Sequence, residues 1–241
     1  MSFTANRNKQ GLARRDFLRV AGISGLFSIF LKLGHCTGWA LAATEPRDVC
    51  PAQGNGMNPG NTFASFVVGS CNRFAHAAAW AVAESPARAY NPLLLHGAAG
   101  LGKTHLAHAI GWRATSLWNA RVLYLSGERF TDEFVGAIKT GALVKFRRRC
   151  RQADILILDD IEGLAGRETQ EEFLQLFNTL FDGHKQIVLS GLRLPSETAN
   201  LDPRLAARFE WGLTAELHPP DIETRRAIPD GMASLARSAG A

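Results

Sequence analysis

Cysteine and long apolar stretches are both scarce in this chain of 241 residues. Its cysteines are widely spaced and form no C-x-x-C pair, so the sequence predicts neither a zinc site nor a disulfide framework. Free thiols in a reducing compartment fit this usage better. The apolar run from Val20 to Leu31 is too short for an ordinary bilayer-spanning helix, so no transmembrane span is expected. The four cysteines are Cys36, Cys50, Cys71 and Cys150.

Charge of one sign is not in large excess either. Lysine and arginine number 27 against 22 aspartates and glutamates, which gives a formal net charge of +5 and a pI of about 9.3. Such mild basicity permits a nucleic-acid partner without establishing one. A hydrophobic content of 46% is enough for a substantial core, and the length fits about one domain or one and a half.

The first 60 residues differ in composition from the rest. Residues 1–43 have the layout of a signal peptide: the basic stretch 14–19, then the apolar run, then small residues at 39–43. The paired Arg14 and Arg15 before Phe-Leu resemble a twin-arginine export signal. An apolar helix and a spurious upstream extension of the reading frame are the alternatives. Residues 44–60 are rich in proline, glycine and asparagine, which predicts a linker.

The most informative motif is G-x-x-x-x-G-K-[ST], which residues 97–104 match. Its glycines let the backbone curl so that successive N–H groups point at phosphate oxygens. Lys103 is expected to reach the β- and γ-phosphates, and Thr104 to hold Mg²⁺. An apolar run precedes the loop and a helical pattern follows it, which is the setting that this motif requires. The predicted cofactor-binding residues of the loop are Gly97, Gly100, Gly102, Lys103 and Thr104.

Beyond residue 61, apolar strands alternate with helical patterns. Near-continuous apolar strands in such an alternation indicate an α/β fold, in which a parallel sheet is covered by helices on both faces. Ser70 is expected to cap the first helix, with Phe74, Ala77, Ala78 and Ala81 on one face. The strands are predicted near 92–96, 121–126, 154–158 and 186–190, and the helices near 70–84, 103–118, 128–138, 142–151 and 168–182.

A second chemical element follows the third predicted strand. The apolar stretch 155–158 ends in Asp159 and Asp160, which places two carboxylates at the edge of the sheet where the phosphate loop lies. Asp159 is expected to hold Mg²⁺, directly or through water. Asp160 is expected to orient and polarise an attacking water. A turn with two solvated aspartates is the alternative.

Several ordered blocks together resemble the AAA+ core of DnaA, the family of bacterial chromosomal replication initiators. They are Asn91–Gly111, Asp154–Leu180 and Pro203–Pro220, and Thr62–Tyr90 resembles the segment before the phosphate loop in that family. The resemblance covers about residues 60–228. It implies an AAA+ P-loop NTPase core over residues 61–220, with ATP and Mg²⁺ as cofactors.

The resemblance also implies roles for residues outside these two motifs. Val68 and its neighbours would lie near the adenine base. Arg208 matches the family's arginine finger, which reaches the ATP site of a neighbouring subunit in a head-to-tail assembly, formed by identical chains or with a full-length initiator. Lys145, Arg147 and Arg148 would contact single-stranded DNA. From the residues alone, that basic run is more simply a solvated helix face.

Three departures from the family pattern stand out. Leu192 occupies the place of an aspartate that precedes Arg193, and a leucine cannot accept a hydrogen bond, which puts hydrolysis in question. Residues 221–241 are expected to hold only a remnant of the lid subdomain and an unmatched tail, without a helix-turn-helix for origin duplex. The N-terminal partner-binding domain is replaced by the signal-like segment. A truncated, fused or decaying paralogue fits these departures.

The leading interpretation is an ATP-binding AAA+ protein of the DnaA type that acts in, or regulates, the initiation of chromosomal replication. Slow hydrolysis of ATP to ADP and phosphate stays open. A non-catalytic adaptor of the full-length initiator, similar to the short regulatory homologue Hda, is the alternative. A cytoplasmic location is expected, because an exported ATPase would find little ATP, and twin-arginine export is the alternative to it.

Overall fold

The computed structural model describes residues 56–228, so the signal-like segment and the tail from residue 229 lie outside the described residues. The strands are β1 (Leu93–His96), β2 (Val122–Ser126), β3 (Ile155–Asp159), β4 (Gln186–Gly191) and β5 (Leu213–Glu216). The helices are α1 (Arg73–Glu84), α2 (Lys103–Trp118), α3 (Gly127–Lys139), α4 (Leu143–Arg151), α5 (Arg167–Asp182) and α6 (Pro203–Phe209). Short 3-10 turns occupy Ile161–Gly163 and Pro195–Glu197, and residues 222–228 are also helical.

The strands form one parallel sheet in the order β2-β3-β4-β1-β5. β4 therefore lies between β1 and β3, with Val188 paired to Leu93 on one side and to Ile157 on the other. The carboxyl ends of these three strands meet at one edge of the sheet. This edge brings the loop after β1 and the aspartates after β3 to the same region, as the α/β prediction requires.

The sheet is buried on both faces, which explains why its strands are apolar almost throughout. On β3, Ile155 and Ile157 pack with α1 and α2, whereas Leu156 and Leu158 pack with α3, α5 and α6. All four side chains are fully buried. Full burial of each such side chain stabilises the fold by roughly 1.5–3 kcal/mol. The two cores thus hold β3 rigidly and fix the direction in which Asp159 leaves it.

The first helix differs from its prediction in cap and in buried face. α1 begins at Arg73 after Asn72, whereas the Ser70 hydroxyl donates to Asp221 at 2.8 Å. Phe74 is 49% exposed, and the buried face consists of Ala75, Ala78, Ala79, Val82 and Ala83. The predicted face was wrong because the helix carries alanines on nearly every side, so apolar spacing alone does not select one buried face.

Residues at the end of the predicted linker pack against the domain. Met57 is buried in the core between the sheet and α2. A Cβ placed on Gly111 would lie 2.5 Å from the Met57 sulfur, so glycine makes room for this contact. Within residues 56–228, no helix is both long enough and apolar enough to cross a membrane.

Candidate nucleotide-binding site

The loop between β1 and α2 has the backbone that its glycines predict. Gly100 has a φ of 80° and Gly102 a φ of 95°, both in the left-handed region that other residues rarely adopt. A Cβ on Gly102 would also lie 2.8 Å from the Phe66 ring. Gly102 caps α2, which begins at Lys103, so the free N–H groups and the positive end of this helix face the loop.

Lys103 is held at the base of the loop. Its side chain is only 5% exposed, and its ammonium donates to the carbonyls of Gly97 at 2.8 Å and Ala98 at 2.9 Å. Thr104 lies beside it in the first turn of α2 and is partly buried. The strand, loop and helix therefore bring together the loop residues that the motif predicts, with a cation at their centre.

Asp159, at the end of β3, is buried and hydrogen-bonded through both carboxylate oxygens. The Tyr124 hydroxyl donates to Oδ2 at 2.8 Å, and the Ser190 hydroxyl donates to Oδ1. The Asp159 side chain is 3% exposed. Burial, followed by the charge of Asp159, raises the pKa of Tyr124, so this phenol stays protonated as a donor. Tyr124 and Ser190 thus fix the carboxylate in one orientation.

Asp160 leaves the strand with a different backbone and environment. Its φ of 55° turns the chain into the following 3-10 turn, and its N–H donates to the Ser190 hydroxyl at 3.0 Å. Partial desolvation, then the charges of Asp159 and Glu162, raise the pKa of the Asp160 carboxyl, whereas the charge of Lys103 opposes that rise. Adjacent aspartates therefore occupy two environments, one buried and fully bonded and one open.

The His108 side chain packs against Tyr124. The His108 ring meets the Tyr124 ring edge-on at 4.5 Å between centroids. Its Nδ1 accepts from the Asn58 N–H at 3.2 Å and lies 3.1 Å from the Asn61 amide nitrogen, so the neutral ring carries its proton on Nε2. Burial lowers the pKa of His108, which keeps the ring neutral. In residues 56–228, Nε2 is the buried side-chain atom left without a hydrogen-bond partner.

No motif includes Tyr124 or Ser190, and their roles were not predicted. The signal that was available is a polar residue near the carboxyl end of an otherwise buried strand. Ser190 is 1% exposed in β4, all of whose residues are buried. Such a residue needs a hydrogen-bond partner, and Asp159 on the adjacent strand supplies it.

Val68 follows Phe66, whose ring lies beside Gly102 of the phosphate loop, by two residues. The Asn72 side chain donates to the Val67 carbonyl at 3.0 Å and accepts from the Gly69 N–H at 2.9 Å, which fixes this segment. A Cβ on Gly69 would lie 2.0 Å from the Thr224 hydroxyl oxygen, so the helix over 222–228 packs closely here. Val68 itself is 44% exposed.

The two arginines of α6 have different surroundings. Arg204 forms an ion pair with Asp202, with N–O distances of 3.1 and 2.9 Å. The Arg208 guanidinium lies over the Trp211 ring, with 4.5 Å from Cζ to the centroid. Within residues 56–228 the Arg208 side chain has no hydrogen-bond acceptor. Its donors are therefore available to a group outside this part of the chain.

The basic side chains of helix α4 also have different surroundings. Arg147 forms two hydrogen bonds with the buried Glu172, at 2.7 and 2.6 Å, and Arg149 pairs with Glu133. Lys145 and Arg148 are exposed and form no ion pair within residues 56–228. The DNA contacts of Lys145, Arg147 and Arg148 stay a prediction, and in the structure the Arg147 guanidinium holds α4 against α5.

Leu192 follows the end of β4, next to a carboxylate from another element. The Leu192 side chain is 45% exposed, and its backbone N–H donates to the Glu162 carboxylate at 2.6 Å. A carboxylate therefore lies at this strand end, supplied by the 3-10 turn after β3. The Glu162 carboxylate differs from the aspartate of the family pattern in that it comes from another element and already accepts from the Leu192 N–H.

Mg²⁺ that binds together with a nucleotide is typically held by one or two protein oxygens, by water and by the substrate phosphates. Asp159 and Thr104 can supply the protein oxygens. In the described region no cluster of three or more His, Cys, Asp or Glu side chains forms a self-sufficient metal site.

A parallel sheet in this order, a glycine loop with Lys103 and an apolar strand ending in aspartates define a P-loop NTPase of the AAA+ class.

Comparison with known proteins specifies the family. The family model described as "Bacterial DnaA ATPAse domain" matches residues 57–216, and the chain belongs to this family. Domain III of the Thermotoga maritima replication initiation protein DnaA is 42% identical, with a TM-score of 0.73, over 75% of this chain and 76% of that one. The predicted resemblance to DnaA and the AAA+ fold are thereby confirmed.

Two further structures are similar to this chain. AMPPCP-bound DnaA from Aquifex aeolicus is 38% identical, with a TM-score of 0.67, over 70% of this chain and 52% of that one. A replication initiator DnaA bound to AMPPCP and single-stranded DNA is 38% identical, with a TM-score of 0.66, over 68% of this chain and 51% of that one. This chain thus spans about half the length of both proteins.

Proposed function

We propose that this chain binds ATP with Mg²⁺ at the edge formed by β1, β4 and β3, and acts in or regulates the initiation of chromosomal replication. The observation that carries the proposal is the convergence of Lys103, after β1, and the two aspartates, at the end of β3, on either side of β4. Membership of the DnaA ATPase family and the AMPPCP bound to the Aquifex aeolicus relative support it.

Each side chain has a distinct part in this proposal. Lys103 and the loop N–H groups hold the phosphates, and Thr104 and Asp159 hold Mg²⁺, which neutralises phosphate charge when bound. Asp160, more open and with a raised pKa, orients and polarises the attacking water in slow hydrolysis. Tyr124 and Ser190 keep Asp159 aimed at the site. Val68 lies beside the base.

Nucleotide titration of the full chain tests this proposal. We expect Lys103→Ala to weaken binding of ATP with Mg²⁺ by at least about tenfold, because a buried charge-assisted contact to phosphate is lost. Lys139→Ala, at an exposed position on α3, is the matched control and should bind as the wild type does. Equal affinity of the Lys103→Ala and wild-type proteins would disprove the proposed site.

A single-stranded DNA contact is proposed for the exposed cations of α4. Lys145 and Arg148 have no partner within residues 56–228, and a DnaA relative was solved with single-stranded DNA. Replacing both with alanine should weaken binding of a thymidine oligonucleotide and reduce the slope of log affinity against log salt by about 1.4. A slope that stays unchanged would refute direct phosphate contacts.

Arg208 is proposed to contact ATP bound to a neighbouring AAA+ subunit. Within residues 56–228 its guanidinium has no ion-pair partner, whereas Asp202 neutralises that of Arg204. Planar guanidinium groups pair well with phosphate oxygens. Head-to-tail assembly in the presence of nucleotide should therefore weaken in Arg208→Ala and persist in Arg204→Ala.

Leu192 favours a second candidate, an adaptor that regulates a full-length initiator without efficient hydrolysis of its own. Its side chain offers no acceptor at the end of β4, while Arg208 is free to act on a partner's nucleotide. Addition of this chain to a full-length DnaA should then accelerate ATP hydrolysis by that protein. If Arg208→Ala accelerates it equally, the adaptor hypothesis loses its mechanism.

A further inference from the structure

Trp211 combines high exposure with a fixed position. Its side chain is 59% exposed, yet the Phe181 ring stacks on it at 5.2 Å between centroids and 13° between planes. The backbone after it is also constrained, because a Cβ on Gly212 would lie 1.9 Å from the Pro92 carbonyl oxygen. The Leu213 N–H donates to that same oxygen at 3.0 Å. The sheet and α5 therefore hold this indole in place at the surface.

The indole in turn restricts Arg208. The guanidinium carbon lies 4.5 Å from the ring centroid, and the Trp211 N–H closes the turn onto the Arg208 carbonyl at 3.3 Å. A cation over an indole face is attracted by the ring quadrupole. Such a contact involves no hydrogen-bond acceptor, so within residues 56–228 the N–H donors of Arg208 stay free, whereas Asp202 occupies those of Arg204.

We propose that Trp211 is a positioning residue that presents Arg208 to the nucleotide of a neighbouring subunit. The inference rests on the proposed role of Arg208 in that contact. A free arginine side chain samples many rotamers, and their loss on binding opposes assembly. Stacking on Trp211 reduces this loss while the hydrogen-bonding edge stays available, so the arginine is pre-organised for phosphate.

The test measures self-association of the full chain with Mg²⁺ and AMPPCP by sedimentation velocity. Trp211→Leu keeps apolar volume against Phe181 but removes the aromatic face, and Trp211→Phe restores such a face. We expect Trp211→Leu to weaken association about threefold or more, and Trp211→Phe to stay within about twofold of the wild type. Arg208→Ala should weaken association more than Trp211→Leu, and Arg204→Ala should not.

The double variant separates positioning from a direct contact. If Trp211 acts through Arg208, Trp211→Leu has no further effect in an Arg208→Ala background. An equal further loss in that background would show that the indole contributes to the interface independently, and the proposal would be overturned. Thermal unfolding and AMPPCP affinity of the dilute protein, both expected to change little in Trp211→Phe, show that fold and site are intact.

Failure of this inference differs from failure of the proposed function. If Arg208→Ala leaves association unchanged, Arg208 has no role in trans and the proposed contact is wrong. If Arg208→Ala weakens association and Trp211→Leu does not, the contact stands and the positioning role alone is refuted.

Discussion

At the scale of single residues, partners decide which charged side chains are available. Arg204 and Arg208 lie one turn apart on α6, and without the family resemblance the sequence gives no means of telling them apart. The structure pairs Arg204 with Asp202 and stacks Arg208 on Trp211. In α4, Arg147 is likewise taken up by Glu172. Motif spacing could identify the loop residues, but availability depends on neighbours that are distant in sequence.

Tyr124 provides a prediction at this scale. Tyr124→Phe removes the hydroxyl that donates to Asp159 at 2.8 Å and leaves the ring beside His108. We expect the Mg²⁺ concentration needed for half-maximal ATP binding to rise about tenfold, because loss of a hydrogen bond to a metal ligand typically costs 10–100-fold in affinity. Titrating Mg²⁺ at fixed ATP measures this change.

The chain offers a matched control, because Tyr90 is its other tyrosine and is 37% exposed. Tyr90→Phe should bind ATP with the Mg²⁺ dependence of the wild type. Should both variants behave alike, the orientation of Asp159 does not depend on Tyr124.

At the scale of elements, two glycines of α3 test how closely this helix approaches the site. A Cβ on Gly127 would lie 2.4 Å from the Asp160 carbonyl oxygen, whereas one on Gly136 would meet nothing within 4 Å. We expect Gly127→Ala to destabilise the fold by about 1–3 kcal/mol through overpacking. Gly136→Ala should stabilise it by about 0.5–1 kcal/mol, because alanine favours the helix.

Urea unfolding of the two variants measures both effects. Both changes are Gly to Ala in one helix, so helix propensity alone would change the free energy of unfolding in the same direction in both variants. Opposite signs therefore report the difference in packing. Stabilisation by Gly127→Ala would mean that α3 and the turn after β3 are not in close contact.

Most elements could be predicted from the sequence, and the exceptions have physical causes. α2 was predicted over the residues it occupies, because its phosphate loop and its end are both marked locally. The strands β1 to β4 were located by their apolar runs, whereas β5, which is only partly buried, was not predicted. α1 was predicted with the wrong face, since its alanines give no clear periodicity. The hydrogen bonds of Asp159 with Tyr124 and Ser190 join neighbouring strands. They could not be predicted, because local sequence patterns do not specify the order of strands in a sheet.

At the scale of the whole molecule, Asp154 joins the amino ends of the sheet and makes stability depend on pH. It accepts from Arg121 before β2 and from Lys185 before β4, and these contacts, Arg121 first, hold the pKa of Asp154 well below its usual range. A lowered pKa stabilises the fold above the unfolded value of about 3.9, and this stabilisation is lost as the pH falls below it.

Asp154→Asn should therefore lower the free energy of unfolding by about 1 kcal/mol at pH 7, a modest value because the group is partly exposed. The difference from the wild type should shrink near pH 3. Asp132→Asn, at an exposed position on α3, is the control and should change little at either pH. A difference that is constant with pH would show that packing, and not charge, accounts for the effect.

Cell fractionation tests the two locations that the sequence leaves open. A chain that works on ATP is expected in the cytosol at full length, and replacing Arg14 and Arg15 with lysine should not move it. Immunoblots of cytosolic and exported fractions measure this. A shortened form found outside the cytosol in the wild type, and lost in the lysine variant, would show twin-arginine export instead.

The contacts of residues 57–61 have a practical consequence for anyone who prepares a fragment of this protein. Cleavage before residue 61 would remove Met57 from beside Gly111 and the Asn58 N–H from His108 Nδ1. His108 supports Tyr124, and Tyr124 holds Asp159. Trimming a few apparently dispensable residues would thus loosen Asp159, the proposed magnesium ligand, at the far end of this chain of contacts. Nucleotide binding measured on such a fragment would then understate that of the intact domain.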